Sequence, residues 1–181
     1  MTKKQAAIRL LTADTYLAVL KNSAGSKIWR SAYGLADDRR QNLVRRGELS
    51  CAFYVSSILR LFNLLRGVHL TVAGTVADMK RSGWRHLPSS PRQRGLRRGN
   101  GRRPRGGARP RPGWVIRWAS QKFADGEEHQ HLGFYLGRGR AISNRSSTGV
   151  PTLHHWTFGT RRGKPVRPII GLYWHARLDQ A

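Results

Sequence analysis

The sequence has little cysteine and no long apolar run. Cys51 is the single cysteine in 181 residues, so neither an internal disulfide nor a cluster of cysteine ligands around zinc can form. No apolar run is long enough to span a bilayer, and Arg9 and Asp14 interrupt the first apolar residues before a signal-peptide core is complete. We therefore expect no export signal and no membrane anchor, which fits a cytoplasmic protein or one released by a non-classical route.

Acidic residues are also scarce. Nine Asp and Glu side chains stand against 34 Lys and Arg side chains, which gives a formal net charge of +25. Such a charge predicts attraction to polyanions, including nucleic acid, anionic lipid and bacterial wall polymers. The whole chain is basic, and the charge is most concentrated between Arg92 and Arg111, where nine arginines occur without an acidic residue.

The segment SSPRQRGLRRGNGRRPRGGARPRPG, residues 89–113, is predicted to be a disordered insertion because it holds four of the eight prolines and almost no apolar residues. Three interpretations stay open: a polyanion-binding arm, a solvated insertion without a role, and an out-of-frame reading of GC-rich DNA. An arm would bind nonspecifically, because no aromatic residue lies between Pro91 and Pro112. The arginines expected to make these contacts are Arg92, Arg97, Arg98, Arg102, Arg103 and Arg105.

Apolar spacing divides the rest of the chain into helices followed by strands. Helical periodicity predicts helices over residues 5–21, from Cys51 to a stop at Gly67, and from Thr75 to Gly83. Runs rich in β-branched and aromatic residues predict strands at residues 114–118, 131–137, 140–143 and 168–174, with a hairpin turn at 137–139. This order predicts an α+β fold in which N-terminal helices pack on a C-terminal antiparallel sheet. We expect residues 1–181 to form a single domain.

Cys51 lies in the first turn of its predicted helix, with Ser50 as the expected N-cap. A thiol at this position faces unpaired backbone N–H groups and the positive end of the helix dipole, both of which favour the reactive thiolate. The alternative is that Cys51 is a small buried packing residue, since free cysteine is among the most buried residue types. A nearby base would favour the catalytic interpretation.

His131 is the candidate base. It begins the strand HLGFYLG, where alternation places Leu132 and Phe134 on one face and His131 and Gly133 on the other. Because Gly133 has no side chain, another group can approach the histidine closely there. A thiol on a helix could therefore meet an imidazole on a sheet, which is the pair that an activated cysteine nucleophile requires.

Three stretches of the chain share one further pattern: SCAFYVSSIL, PGWVIRW and HLGFYLGRGRAIS. They resemble the cysteine helix, the first strand, and the histidine strand with its hairpin in the NlpC-type cell-wall cysteine peptidases, a family with a compact papain-like fold. The resemblance implies that Cys51 attacks an amide carbonyl and that His131 accepts its proton. It also implies peptide substrates from bacterial peptidoglycan, in the stem or the crosslinks.

The same resemblance implies a third residue that orients the imidazole, usually histidine, asparagine or glutamine. Direct register through the hairpin places Ser143 there, but a hydroxyl is a poor orienter. We predict Asn144 instead, which requires a bulge that turns its side chain to the face of His131. His154 is a further candidate, and only one of His154 and His155 can face the site because adjacent strand residues point in opposite directions.

A metal site is the alternative use of these histidines. The segment DGEEHQH places His129 and His131 two residues apart, on one face of a strand, with Glu127 and Glu128 nearby. A short His-x-His motif is common, and this interpretation leaves the Cys51 helix unexplained. We therefore predict neither a metal nor another cofactor.

These observations favour a cysteine peptidase or amidohydrolase that acts through an acyl-enzyme intermediate. The alternative class is a catalytically inactive papain-like scaffold that binds nucleic acid or another polyanion through its arginine-rich segment. Deletion of residues 92–111 separates the two classes, because an enzyme would lose polyanion binding and keep its thiol chemistry.

Overall fold

A computed structural model describes residues 8–87, 110–123 and 126–179. Within them the chain forms three α-helices and ten antiparallel strands. The elements are α1 (Thr12–Asn22), β1 (Tyr33–Ala36), β2 (Arg39–Asn42), α2 (Cys51–Leu61), α3 (Val72–Arg81), β3 (Arg85–Leu87), β4 (Val115–Lys122), β5 (Glu128–Gly137), β6 (Arg140–Arg145), β7 (Val150–His155), β8 (Thr160–Arg161), β9 (Lys164–Pro165) and β10 (Ile169–Trp174). The predicted α+β class is confirmed, but six of the ten strands were not predicted: β1, β2, β3, β7, β8 and β9. That residues 1–181 form one domain stays a prediction.

The main sheet has six strands in the order β3-β10-β4-β5-β6-β7. The helices pack on one face, where Phe134 of β5 and Ile142 of β6 join an apolar core with Tyr54 of α2. The opposite face carries a second apolar cluster, which includes Trp118 and Tyr135. Successive residues of β5 therefore enter different cores, as its alternation predicts. None of the helices in the described ranges is long and apolar enough to cross a membrane.

The helix α2 begins at Cys51, as predicted, but ends at Leu61 rather than at Gly67. The chain leaves the helix at Asn63, which has a left-handed φ of 53° and accepts a hydrogen bond of 2.8 Å from Arg60. Asparagine tolerates this conformation better than most residues, so it stops the helix. Because α2 packs against β5 and β6, the sheet fixes where its first residue lies.

The other two helices also differ from their predicted starts. The first begins at Thr12 rather than at residue 5, and residues 1–7 lie outside the described part of the chain. The third begins at Val72, earlier than predicted, because the Thr71 hydroxyl accepts a hydrogen bond from the N–H of Gly74 and caps the helix there.

The predicted insertion at residues 89–113 falls outside the described residues except for its last four positions, and its six candidate arginines fall outside entirely. Gly113, at its end, accepts a hydrogen bond of 2.9 Å from the Tyr16 hydroxyl and donates its N–H to the carbonyl of Tyr135. The chain that enters β4 is therefore tied to α1 and β5.

Gly133 brings β5 and β6 unusually close together. A Cβ atom at this position would lie 2.5 Å from the carbonyl oxygen of Ile142 and 2.6 Å from Cβ of Ser143. No side chain fits in that space, which agrees with the close approach predicted at this glycine. The missing side chain leaves room for Ser143 beside the strand that carries His131.

Candidate active site

Cys51 and His131 line the same cleft, which has a volume of about 520 Å³. Cys51 is half-buried at the first residue of α2, and His131 is buried in β5. Other walls of the cleft come from Glu48, before α2, and from Glu128, in β5. Both residues to which the sequence assigned the chemistry therefore line one cleft.

The N-terminus of α2 leaves its backbone N–H groups without a side-chain cap. Ser50 occupies the N-cap position, but its hydroxyl donates to the carbonyl of Gly47 at 3.1 Å and accepts no helix N–H. The prediction that the Ser50 side chain caps α2 is therefore wrong. Because no cap competes for them, the N–H groups of Cys51 and Ala52 face the sulfur, and the N–H of Leu132 reaches it from β5. The thiol thus touches the strand one residue beyond His131.

The resting side chain of Cys51 is a thiol. Burial raises its pKa above the usual value, and the hydrogen bonds from Leu132 and Ala52 and the positive charge of Arg167 offset only part of this rise. The helix position favours the thiolate, as expected, but burial has the larger effect. The structure therefore differs from the expectation of a resting thiolate.

His131 is a neutral imidazole. Burial lowers its pKa well below the usual value, and the positive charge of Arg167 lowers it further, as does that of His154 when His154 is protonated. A neutral ring can accept a proton from a neighbouring thiol, whereas an imidazolium cannot. At neutral pH the cleft is therefore lined by a thiol at Cys51 and a neutral imidazole at His131.

A chain of hydrogen bonds through β6 and β7 fixes the tautomer of His131. Oγ of Ser143 lies 2.8 Å from Nε2 of His131 and 2.8 Å from Nε2 of His154, and Nδ1 of His154 lies 2.8 Å from the carbonyl oxygen of His155. Because a carbonyl can only accept, neutral His154 holds its proton on Nδ1 and accepts the Ser143 hydroxyl at Nε2. The Ser143 oxygen then accepts from Nε2–H of His131. Nδ1 of His131 therefore carries the lone pair of the ring and can accept a proton.

Asn144 does not contact the imidazole. The register of β5 and β6 does shift between Tyr135 and Gly137, but beyond the shift Gly133 pairs with Ser143. Ser143 therefore lies on the face of His131, and Asn144 lies on the other face. Nδ2 of Asn144 instead donates to the carbonyl of Gly47 at 2.5 Å, while its Oδ1 is buried without a hydrogen-bond partner. The expectation that Asn144 contacts His131 is therefore wrong: Ser143 makes that contact, and Asn144 holds the loop before α2.

His154 and His155 point in different directions, as strand alternation predicts. His154 joins Ser143 and stacks on Phe158, with ring centres 4.1 Å apart. Nδ1 of His155 lies 2.8 Å from the hydroxyl of Thr157. His154 is therefore the member of the pair that reaches the site, through Ser143 rather than by contact with His131.

Arg167 is a site residue that the sequence analysis missed. It is 4% exposed, and it donates from Nε to the carbonyl of Ala119 at 2.9 Å and from Nη2 to the carbonyl of His129 at 2.7 Å. Burial lowers its pKa to about 10, and a negative charge on Cys51 would raise it. The guanidinium is therefore charged at neutral pH. Nothing in the local sequence RPIIG marks this position, because both partners lie far away in the chain.

The metal alternative finds no support in the geometry of these histidines. In residues 8–87, 110–123 and 126–179, no three His, Cys, Asp or Glu side chains are grouped so that they could hold a metal ion. The ring of His129 meets Phe123 edge-on, with ring centres 5.0 Å apart. The histidines of this region thus lie among aromatic and hydroxyl groups.

No protein-family model matches the sequence, and no curated protein matches it. Inference of function therefore depends on the side chains that the fold brings together around Cys51 and His131.

Proposed function

We propose that the protein is a cysteine peptidase or amidohydrolase with a papain-like fold. One observation carries this proposal: Cys51 and His131 line one cleft, and the hydrogen bond to Ser143 leaves Nδ1 of His131 free to accept a proton. The uncapped start of α2 adds backbone donors at the sulfur. A packing cysteine needs neither an oriented imidazole nor a helix end without a cap.

The reaction begins with attack of the Cys51 sulfur on an amide carbonyl carbon. The S–C bond forms while Nδ1 of His131 accepts the thiol proton, and the carbonyl oxygen becomes an oxyanion. Backbone N–H groups in the first turn of α2 lie beside the sulfur and stabilise this charge. The C–N bond then breaks, His131 returns the proton to the leaving amine, and a thioester remains on Cys51.

Water completes the turnover. His131 accepts a proton from a water molecule as the water oxygen attacks the thioester carbonyl. Collapse of the second tetrahedral intermediate breaks the S–C bond, and His131 returns the proton to the sulfur. The products are a carboxylic acid and the regenerated thiol of Cys51.

Ser143 and His154 act as positioning residues in this scheme. Once His131 has accepted the thiol proton, its Nε2–H still donates to Ser143, and Ser143 still donates to His154. The ring therefore keeps its orientation in both protonation states. The hydrogen bonds from His131 to Ser143 and from Ser143 to His154 supply the role that a directly bonded third residue plays in other cysteine and serine hydrolases.

Peptides of bacterial peptidoglycan, in the stem or the crosslinks, are the proposed substrates. The support is the resemblance of the Cys51 helix and the His131 strand to the NlpC-type cell-wall cysteine peptidases. The net charge of +25 would concentrate such an enzyme on an anionic wall, and this aid would weaken as salt rises.

Hydrolysis of peptidoglycan fragments tests the proposal. Purified stem peptides and crosslinked dimers are incubated with the wild type and with Cys51→Ala, and new amino groups are located by mass spectrometry. We expect cleavage by the wild type alone. Wild-type protein that leaves every fragment intact, or a Cys51→Ala variant that still cleaves, would contradict the proposal.

The second candidate function is polyanion binding by an inactive scaffold, and the strongly basic composition is the observation that favours it. Deletion of residues 92–111 removes nine arginines, and binding to RNA and to teichoic acid is then measured as a function of salt. A deletion variant that loses polyanion binding but keeps peptide cleavage makes the segment an accessory. If neither protein cleaves peptides and only the intact chain binds polyanions, the scaffold function is correct.

A further inference from the structure

Arg167 is a buried cation that no carboxylate neutralises within the described part of the chain. Its two hydrogen bonds go to the backbone carbonyls of Ala119 and His129. A guanidinium has five N–H donors, so three remain after these two bonds. Buried charges are normally paired, because desolvation of an ion is costly. The two carbonyls hold the planar group in one orientation and leave part of it for another partner.

The free part of Arg167 lines a second cavity of about 340 Å³ on the Ser143 side of His131. His131 borders both this cavity and the cleft that contains Cys51. The second cavity is lined by two arginines, Arg145 and Arg167, by several hydroxyl groups and by His154, and none of the described residues that line it is acidic. The cavity therefore favours an anion directly beside the proposed base.

The Cys51 cleft has the opposite character. Its walls include the carboxylates Glu48 and Glu128, and its lining contains no lysine or arginine from the part of the chain that the structure describes. Charge is thus divided across His131, with carboxylates on the Cys51 side and guanidinium groups on the Ser143 side. A substrate that spans both spaces would place a negative group only on the Ser143 side.

We propose that Arg167 is a specificity-determining residue that binds a carboxylate on the substrate, close to the carbonyl that Cys51 attacks. This inference rests on the proposed cysteine hydrolase function and adds the class of its substrate, an amide that carries a free carboxylate near the scissile bond. A planar guanidinium held by two carbonyls is preorganised to donate two parallel N–H groups to one carboxylate. A neutral substrate would leave Arg167 buried and unpaired, which disfavours its binding.

Binding of a carboxylate would also act on the chemistry. The positive charge of Arg167 helps to lower the pKa of His131. A bound carboxylate neutralises that charge, so the imidazole becomes a better proton acceptor when the substrate is in place. Recognition of the substrate and activation of the base would then depend on the same side chain.

Alkylation of Cys51 by two reagents of similar size tests the inference without any amide hydrolysis. Iodoacetate carries a carboxylate and iodoacetamide does not. The ratio of their rate constants is measured at physiological salt for the native protein, for the protein unfolded in urea, and for Arg167→Gln. Arg161→Gln is the matched control, because Arg161 is exposed on β8 and lines neither space.

We expect the iodoacetate preference to be at least tenfold higher in the native wild type than in the unfolded chain. Arg167→Gln should reduce it to the unfolded value, and Arg161→Gln should leave it unchanged, although both variants lose one positive charge. An equal ratio in native and unfolded protein, or a preference that survives in Arg167→Gln, would overturn the inference.

A competition experiment on the wild type covers the case in which Arg167→Gln does not fold. Glutarate should protect native Cys51 from iodoacetamide, and the neutral glutaramide should not. Equal protection by both compounds, or by neither, would refute carboxylate binding. The outcomes also separate the two proposals: a carboxylate preference without peptide cleavage counts against the hydrolase, and cleavage without the preference counts against the role of Arg167.

Discussion

Replacement of Ser143 by alanine removes the hydroxyl that links His131 to His154. Nε2 of His131 and Nε2 of His154 each lie 2.8 Å from the oxygen of this hydroxyl. A typical hydrogen bond contributes about 0.5–1.5 kcal/mol, so loss of the bond that orients His131 should slow proton acceptance by about 2- to 13-fold at 1.36 kcal/mol per tenfold. The Nε2–H group of buried His131 also loses its acceptor, which should lower the free energy of unfolding by about 1–3 kcal/mol.

The assay is the rate of Cys51 labelling by iodoacetamide at pH 7, followed by mass spectrometry, with urea unfolding as the measure of stability. Thr152→Val is the matched control, because Thr152 pairs with Ser143 across β6 and β7 and its hydroxyl donates to the carbonyl of Val150 rather than to a histidine. Ser143→Thr keeps the hydroxyl and should restore the rate. Labelling of Ser143→Ala at the wild-type rate would refute the role of this hydroxyl in orienting His131.

Three further results are expected. The steep rise of Cys51 labelling with pH should have its midpoint above about 8.5, which is the usual pKa of a free thiol, because burial raises the pKa of Cys51. A midpoint below about 8 would contradict the buried environment of the thiol. Gly133→Ala should lower the free energy of unfolding by about 1–3 kcal/mol or more, since the added Cβ would lie 2.5 Å from the Ile142 carbonyl oxygen; unchanged urea unfolding would disprove the close strand approach. Burial alone would raise the pKa of Asp78, but hydrogen bonds, first among them the one from His69, reverse the shift and hold it below its usual value. The stability that this carboxylate contributes is therefore complete above the unfolded pKa of about 3.9 and is lost as pH falls through the lower folded pKa. Asp78→Asn should therefore make the free energy of unfolding depend less on pH in acid. A variant with the same pH profile as the wild type would contradict this role of Asp78.

The start of α2 and the strand of His131 could be predicted because their signals are local. Cys51 opens a run with helical spacing, and Leu132 alternates with His131 and Gly133 in a strand pattern. The hairpin of β1 and β2 was missed although its turn residues, Asp37 and Asp38, are of a type that tolerates the positive φ values of 51° and 56° found there. Its strands carry too few apolar residues to stand out by periodicity.

The errors at the site have a common physical cause. Asn144 was preferred because an amide orients an imidazole better than a hydroxyl does, but the register decides which side chain faces His131, and the pairing of Gly133 with Ser143 puts Ser143 there. His154, on the neighbouring strand β7, accepts a hydrogen bond from the Ser143 hydroxyl and so fixes its orientation. Arg167 reaches the site through the carbonyls of Ala119 and His129. Neither the contact of His154 with Ser143 nor the contacts of Arg167 can be predicted from the local sequence, because each depends on how strands distant in the sequence pair.

The most direct measurement for the whole account is the rate of iodoacetamide labelling of Cys51 between pH 6 and 8 in the wild type and in His131→Ala. Proton transfer from the thiol to Nδ1 of His131 produces a small population of reactive thiolate that does not depend on pH above the low pKa of His131. The account predicts a plateau of labelling in the native wild type that falls at least tenfold in folded His131→Ala, while the rise at high pH remains. Equal labelling of the two folded proteins across this range would mean that His131 does not accept the Cys51 proton, and the hydrolase proposal would fail.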